Sequence, residues 1–134
     1  MKRSVFTLIL ASGMALGLSA CGSRPVTVFE VNMVEFTFTP SEFTIPAGQE
    51  ITITAVNSGA IEHDFVILKH GTKAGDTFDG QDEENIFWEL EVGPGNETTA
   101  SFTAPQEAGE YQIVCGVEGH YIAGMVGTLI VVEP

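Results

Sequence analysis

Positive charge is scarce in this 134-residue chain, with five lysines and arginines against eighteen aspartates and glutamates and a formal net charge of −13. So few basic side chains exclude nucleic acid as a partner, because phosphate contacts depend on lysine and arginine. Histidine is scarcer still, limited to His63, His70 and His120, and cysteine occurs only as Cys21 and Cys115. The sequence holds no Gly-x-Ser-x-Gly elbow and no His-Glu-x-x-His motif, which removes the serine-hydrolase and zinc-protease readings. Repeats and low-complexity tracts are absent. No apolar run reaches the roughly 20 residues of a membrane span; the longest, at residues 5–18, is broken by Ser12, Gly13 and Gly17.

That run follows Lys2 and Arg3 and leads into small residues ending at Cys21, the pattern of an export signal. Leu18-Ser19-Ala20-Cys21 resembles a bacterial lipobox. The resemblance implies that residues 1–20 are a signal peptide and that Cys21 is the lipidated first residue of the mature chain. Residues 21–25 become a short lipid-proximal linker and residues 26–134 the folded domain. Four residues, Gly22 to Pro25, reach at most about 14 Å, so the domain is expected close to a bacterial membrane, facing the periplasm or the cell exterior. Losing residues 1–20 removes two basic residues and no acidic ones, which leaves a net charge of −15 on 114 residues. Such a surface favours docking with a basic patch; solubility, or a salty medium, accounts for it equally well. With Cys21 committed to lipid, Cys115 is an unpaired thiol in an oxidising compartment, a liability that a bound metal would remove.

One domain fits the length. Strand-like runs are expected at 26–38, 43–45, 50–56, 64–68, 86–92, 98–103, 110–114 and 126–132. Turn residues separate them, among them Pro40-Ser41, Pro46-Ala47-Gly48, Asn57-Ser58-Gly59 and Gly93-Pro94-Gly95. Ile51 and Ile53 alternate with Thr52 and Thr54, as in a half-buried strand. The pattern predicts an all-β fold, an antiparallel sandwich or barrel of about seven to eight strands. Residues 69–84 are the exception, a polar, acidic surface excursion with room for a helical turn.

Chemistry concentrates near the C-terminus, in Cys115-Gly-Val-Glu-Gly-His120-Tyr-Ile-Ala-Gly-Met125, with His63 far upstream. Taken singly, a histidine on a strand, a buried methionine and a buried cysteine are ordinary core or surface residues. Together they are a soft thiolate, two imidazoles and a thioether, the ligand set of mononuclear blue-copper centres. Cys115 falls where one strand ends and Met125 where the last begins, so a single hairpin presents three donors. Gly119 and Gly124 let the intervening loop fold tightly.

On these residues the chain resembles the cupredoxin family. The hairpin above, the turn Val56-Asn57-Ser58-Gly59 leading to His63-Asp64-Phe65, and the early stretch Phe38-Thr-Pro-Ser-Glu-Phe-Thr-Ile-Pro-Ala-Gly48 carry the likeness across nearly all of residues 26–134. It implies a Greek-key β-sandwich, one copper ion cycling between Cu(I) and Cu(II), and His63, Cys115, His120 and Met125 as its ligands. It also implies a monomeric, non-enzymatic one-electron carrier, serving redox proteins such as c-type cytochromes or a terminal oxidase or reductase. Around the ligands, Asn57, Asp64 and Gly116 are the neighbours of interest. Family members often have Asn after the first histidine and Ser or Thr after the cysteine, pinning the two ligand loops together; Asp64 and Gly116 stand there instead. An ionised Asp64 would favour the oxidised metal. Some members place a tyrosine just before the cysteine; here it is Val114, so electrons are expected to leave through an exposed edge of His120. Partners would dock on an apolar collar of Ala60, Ile61, Val117, Tyr121, Ile122 and Ala123, aided by Asp79, Asp82, Glu83 and Glu84 unless these merely solvate a loop.

Other copper chemistries fare less well. Multicopper enzymes need further histidines, and only His70 is spare; a binuclear centre needs a second cysteine where Tyr111 stands. A copper carrier or donor to a respiratory enzyme favours methionine-rich, exchangeable sites, whereas Met33 and Met125 are the only methionines after residue 20. A metal-free sandwich would show no blue colour. Asn96-Glu97-Thr98 matches a glycosylation acceptor, which carries little weight in a bacterial lipoprotein.

Overall fold

The computed structural model describes residues 23–134; Cys21 and the signal-like segment before it lie outside the described residues. The order of elements is β1 (Val28–Val34), β2 (Thr37–Thr39), β3 (Glu42–Pro46), β4 (Glu50–Asn57), β5 (His63–Leu68), α1 (Gly80–Glu83), β6 (Ile86–Val92), β7 (Glu97–Thr103), β8 (Gly109–Val114) and β9 (Val126–Val132). They form a four-stranded sheet in the order β2-β1-β4-β7 and a five-stranded sheet in the order β3-β9-β8-β5-β6. The expected sandwich is present, and the helical turn falls within the 69–84 excursion. Among the described residues, no helix is long and apolar enough to cross a membrane.

Two expectations need correction. The sheets are mixed rather than antiparallel, since β1 runs parallel to β4 and β3 parallel to β9. Strand residues alone predict neither partner nor direction, and both parallel pairs join strands that are not consecutive in sequence. The single strand expected at 26–38 is instead a hairpin: Val34 pairs with Thr37 and a two-residue turn, Glu35-Phe36, lies between. That break brings the count to nine strands among the described residues.

Alternation explains how the layers meet. Along β4, Ile51, Ile53, Ala55 and Asn57 face inward and are buried. On the outer face, Thr52 bonds Ser101 at 3.1 Å and Thr54 bonds Thr99 at 3.0 Å across to β7, the cross-strand hydroxyl pairing that supports a sheet. From the other sheet, the fully buried Phe65 packs against Phe38 and Phe43 with ring centroids 5.5 and 5.7 Å apart, both edge to face. Phe65 is two residues beyond His63 on the same face of β5, so the packing that closes the sandwich also fixes the first candidate ligand. Truncating it, Phe65→Ala, is expected to cost about 3–5 kcal/mol, whereas Thr52→Ala on the outer face should stay within about 1 kcal/mol. Chemical denaturation of the two variants checks the contrast.

Candidate metal centre

Three of the four residues expected from the sequence converge. His63 Nδ1 and His120 Nδ1 lie 3.2 Å apart, Cys115 Sγ is 3.4 Å from His120 Nδ1 and 3.9 Å from His63 Nδ1, and all three side chains are buried. His63 opens β5 and Cys115 follows β8 directly; Val66 of β5 pairs with Val114 of β8, so adjacent strands deliver the two donors. The loop after Cys115 is wound tightly. His120 N–H donates to the Val117 carbonyl, Ala123 N–H to that of Gly119, and Gly124 N–H to that of Tyr121. Gly119 and Gly124 have φ of 83° and 101°, values that side chains resist. Met125 is fully buried at the end of this loop; its N–H donates to the His120 carbonyl and its own carbonyl accepts from Cys115 N–H. Backbone bonds thus tie the fourth residue to two of the other three.

The chemistry of this donor set asks for a cation. Two imidazole nitrogens and a sulfur facing one another in a buried space repel through their lone pairs, and a single proton can bridge only one pair. A first-row metal bound about 2.0–2.3 Å from each donor fits among atoms 3.2–3.9 Å apart, so the residues suit a copper ion. Burial pushes the Cys115 thiol above its usual range; backbone hydrogen bonds from Asp64 and Val117 draw it down and the Asp64 charge raises it again. Burial foremost, then His120, lowers His63, which keeps that imidazole neutral and free to act as a ligand.

The neighbours divide as follows. Asn57 is buried and braces the loop before His63: its Nδ2 donates to the carbonyls of Ile61 (2.8 Å) and Val92 (2.7 Å), and its Oδ1 accepts from Gly59 N–H (2.9 Å). Asp64 N–H donates to Cys115 Sγ at 3.4 Å. A Cβ on Gly116 would lie 2.8 Å from Asp64 Oδ2, so the carboxylate occupies the space a serine would need. Burial, with Glu91, Glu62 and Glu89, pushes Asp64 up to about 6. His70 is outside the cluster, paired with Glu107 at 3.0 Å and packed on Tyr111.

The surroundings differ from expectation in three places. His120 is only 4% exposed rather than presenting a ring edge, because Phe36 meets it edge to face at 5.4 Å. Asp82 is 8% exposed and Asp79 caps α1: Asp79 Oδ1 accepts from Gln81 N–H and Asp82 Oδ2 from Asp79 N–H. These two acids satisfy backbone donors at a helix start; Glu83 and Glu84 remain exposed. Of the collar, Ile61 and Ile122 are 45% and 62% exposed, whereas Val117 and Tyr121 are half-buried, Val117 packing on the main core and Tyr121 over Val66, Leu68 and Val114. Phe36, 46% exposed, joins Ile61 and Ile122 as an exposed apolar side chain. Neither it nor Glu35, whose Oε1 accepts from Ala60 N–H at 2.6 Å, was anticipated. One signal was available: the apolar residues Phe29, Val31 and Met33 occupy odd positions, but Phe36 and Phe38 even ones, a phase slip that a continuous strand cannot make.

The model of the cupredoxin-like domain matches residues 5–131. The chain belongs to the cupredoxin family. This cupredoxin is 34% identical, over an alignment 164 positions long, to auracyanin-A of Chloroflexus aurantiacus, covering 98% of the chain and 99% of the relative. It is 32% identical over 100 residues to the copper-resistant cuproprotein CopI of Rubrivivax gelatinosus, covering 70% of the chain and 59% of CopI. The crystal structure of dithionite-reduced auracyanin from the photosynthetic bacterium Roseiflexus castenholzii superposes with a TM-score of 0.70 at 31% identity, covering 82% of this chain and all of that one.

Fitted to the family's pattern, Asp64 and Gly116 are one complementary pair, not two separate losses. Gly116→Ser alone is expected to destabilise the metal-free protein by about 1–3 kcal/mol through overcrowding. Combining it with Asp64→Asn should recover only part of that loss, because the amide is as bulky as the carboxylate and adds only an N–H that can donate to the serine hydroxyl. A double-mutant cycle by denaturant melts measures the coupling.

Proposed function

We propose that this cupredoxin is a type 1 blue copper protein that carries one electron at a time between redox proteins, with one copper held by His63, Cys115, His120 and Met125. The observation that carries the reading is the convergence of the two Nδ1 atoms and Sγ within 4.8 Å in a buried pocket. Copper, when bound there, would supply a Cu(I)/Cu(II) couple, with the Cys115 thiolate dominating its electronics and the Met125 thioether tuning its potential. The chain's own task is to hold the donors and keep water out. The ladders of β5, β8 and β9 fix where the ligand segments start, and the loop's internal hydrogen bonds fix where they end. Every ligand being buried leaves no position for a substrate, which suits a carrier rather than an enzyme.

The finer reading follows the sequence. Residues 1–20 are removed on export and Cys21 is lipidated. Residues 21–25 hold the domain of residues 26–134 near a bacterial membrane, facing the periplasm or exterior. Partners such as c-type cytochromes or a terminal oxidase or reductase dock on the collar that includes the exposed Ile61 and Ile122 and the half-buried Val117 and Tyr121; Phe36, also exposed, meets His120 edge to face. Asn57, Asp64 and Gly116 shape the ligand loops. The copper-donor reading has CopI, named as copper-resistant, on its side. Against it, the two methionines among the described residues, Met33 and Met125, are fully buried, so neither offers copper an exposed exchange route.

Copper-loaded protein is expected to show the strong visible charge-transfer band of a copper–thiolate centre, and Cys115→Ser to abolish it. A colourless wild-type protein would overturn the reading. Slow copper loss to a chelator favours the carrier over the donor. Asp64→Asn, measured at alkaline pH, is expected to raise the reduction potential by removing a negative charge that favours Cu(II); an unchanged potential would remove Asp64 from that role.

A further inference from the structure

The two-residue turn between β1 and β2 touches the surroundings of both histidines. Phe36 covers the His120 ring, and it does so at φ 66°, a conformation that turns usually give to glycine or asparagine. Its neighbour Glu35 faces the other ligand. His63 Nε2 is buried and has no hydrogen-bond partner. With Nδ1 turned toward the other donors, the ring proton sits on Nε2, and a metal-bound histidine nearly always gives that proton to a carboxylate, a carbonyl or a water.

Gly59 shows an acceptor close by. A Cβ built on it would lie 2.8 Å from His63 Nε2 and 2.9 and 3.1 Å from the two Glu35 carboxylate oxygens. The imidazole edge and the carboxylate therefore close over one point that only glycine leaves open, within reach of a direct contact or of one bridging water. The carboxylate is anchored by the 2.6 Å hydrogen bond from Ala60 N–H, on the loop that leads into His63. That bond foremost, then Glu35's own N–H, holds Glu35 below the ordinary carboxylate range.

We infer that Glu35 is a positioning residue for His63: its carboxylate takes the Nε2–H side of the ring across the Gly59 gap, fixes the ring's orientation and favours the dipositive metal. The inference rests on the copper reading above, and Asp64, on the other side of His63 in sequence, acts from the Cys115 side of the site and does not substitute for it.

Glu35→Gln keeps an acceptor for Ala60 N–H and removes the charge; Glu35→Ala removes both. Three readouts separate positioning from simple structural support. The first is Cu(II) affinity of the metal-free protein by chelator competition, expected to fall about 10–100-fold in Glu35→Ala and less in Glu35→Gln. Second, the reduction potential should rise in both variants, so that at a fixed applied potential more of the copper is Cu(I). Third, in the diamagnetic Cu(I) protein, the His63 Nε2–H signal should exchange with water faster than in wild type. Gly59→Ala should give the same three changes by wedging a methyl group between the partners. If wild type binds copper and Glu35→Gln leaves potential, Cu(II) affinity and proton exchange unchanged, the inference fails while the copper reading stands. A wild-type protein that takes up no copper defeats the copper reading itself. Should Glu35→Ala fold poorly, the near-isosteric Glu35→Gln still decides.

Discussion

Two imidazole nitrogens and a thiol sulfur, held face to face in a space closed to water, form an arrangement that no chain adopts for its own stability. Each donor loses hydration on burial and gains no adequate hydrogen-bond partner from the other two. The rest of the structure makes this convergence affordable: β5 and β8 are neighbours in the five-stranded sheet, so His63 and Cys115 start from adjacent rows. The ladder between β8 and β9 then fixes both ends of the loop that carries His120. Asn57 spends its amide on the carbonyls of Ile61 and Val92 and so prevents the His63 loop from relaxing away. The aromatic packing of Phe65, two residues from His63, adds the apolar weight behind it.

Charge is distributed around the site in a way that follows from the same burial. Asp64 is crowded by Glu62, Glu89 and Glu91 and partly desolvated, hence its rise to about 6. Gly116 is the counterpart of that carboxylate, since a side chain there would meet Asp64 Oδ2. A pair that departs from the family's usual Asn and Ser or Thr is therefore internally consistent: the backbone N–H of Asp64 still reaches the sulfur, and only the side-chain link is replaced by steric fit. Acidity elsewhere has a different origin. Asp79 and Asp82 cap a one-turn helix, so part of the strong negative balance is structural.

The sequence made the fold class and the ligands legible for one physical reason: both are written in local patterns. Period-two alternation and turn residues marked β6 and β9 to the residue, and the spacing Cys115, His120, Met125 marked the loop. What escaped depends on distant partners. Parallel pairing of β1 with β4 and β3 with β9 has no local signature. The burial of His120 could not be foreseen because Phe36 comes from the far side of the sandwich. Glu35 was invisible for the same reason, although the phase slip between Met33 and Phe36 announced the turn that carries it.

That turn bears on how rigid the centre is. Blue copper tolerates both oxidation states with little rearrangement when the ligands are already in place. Here the preparation is visible before any metal is considered. The His120 loop is closed by five backbone hydrogen bonds between residues 115 and 125. The His63 loop is closed by side-chain bonds: Asn57 donates two and accepts one, and Glu35 accepts one. Phe36 adopts a left-handed backbone, at a cost of about 1–2 kcal/mol for a non-glycine residue, and its ring lies over His120. A fold selected only for stability would place glycine or asparagine at that position. Keeping a phenylalanine there exchanges a small loss of stability for a histidine with less freedom to move, which is the property an electron carrier needs from the residue nearest its surface.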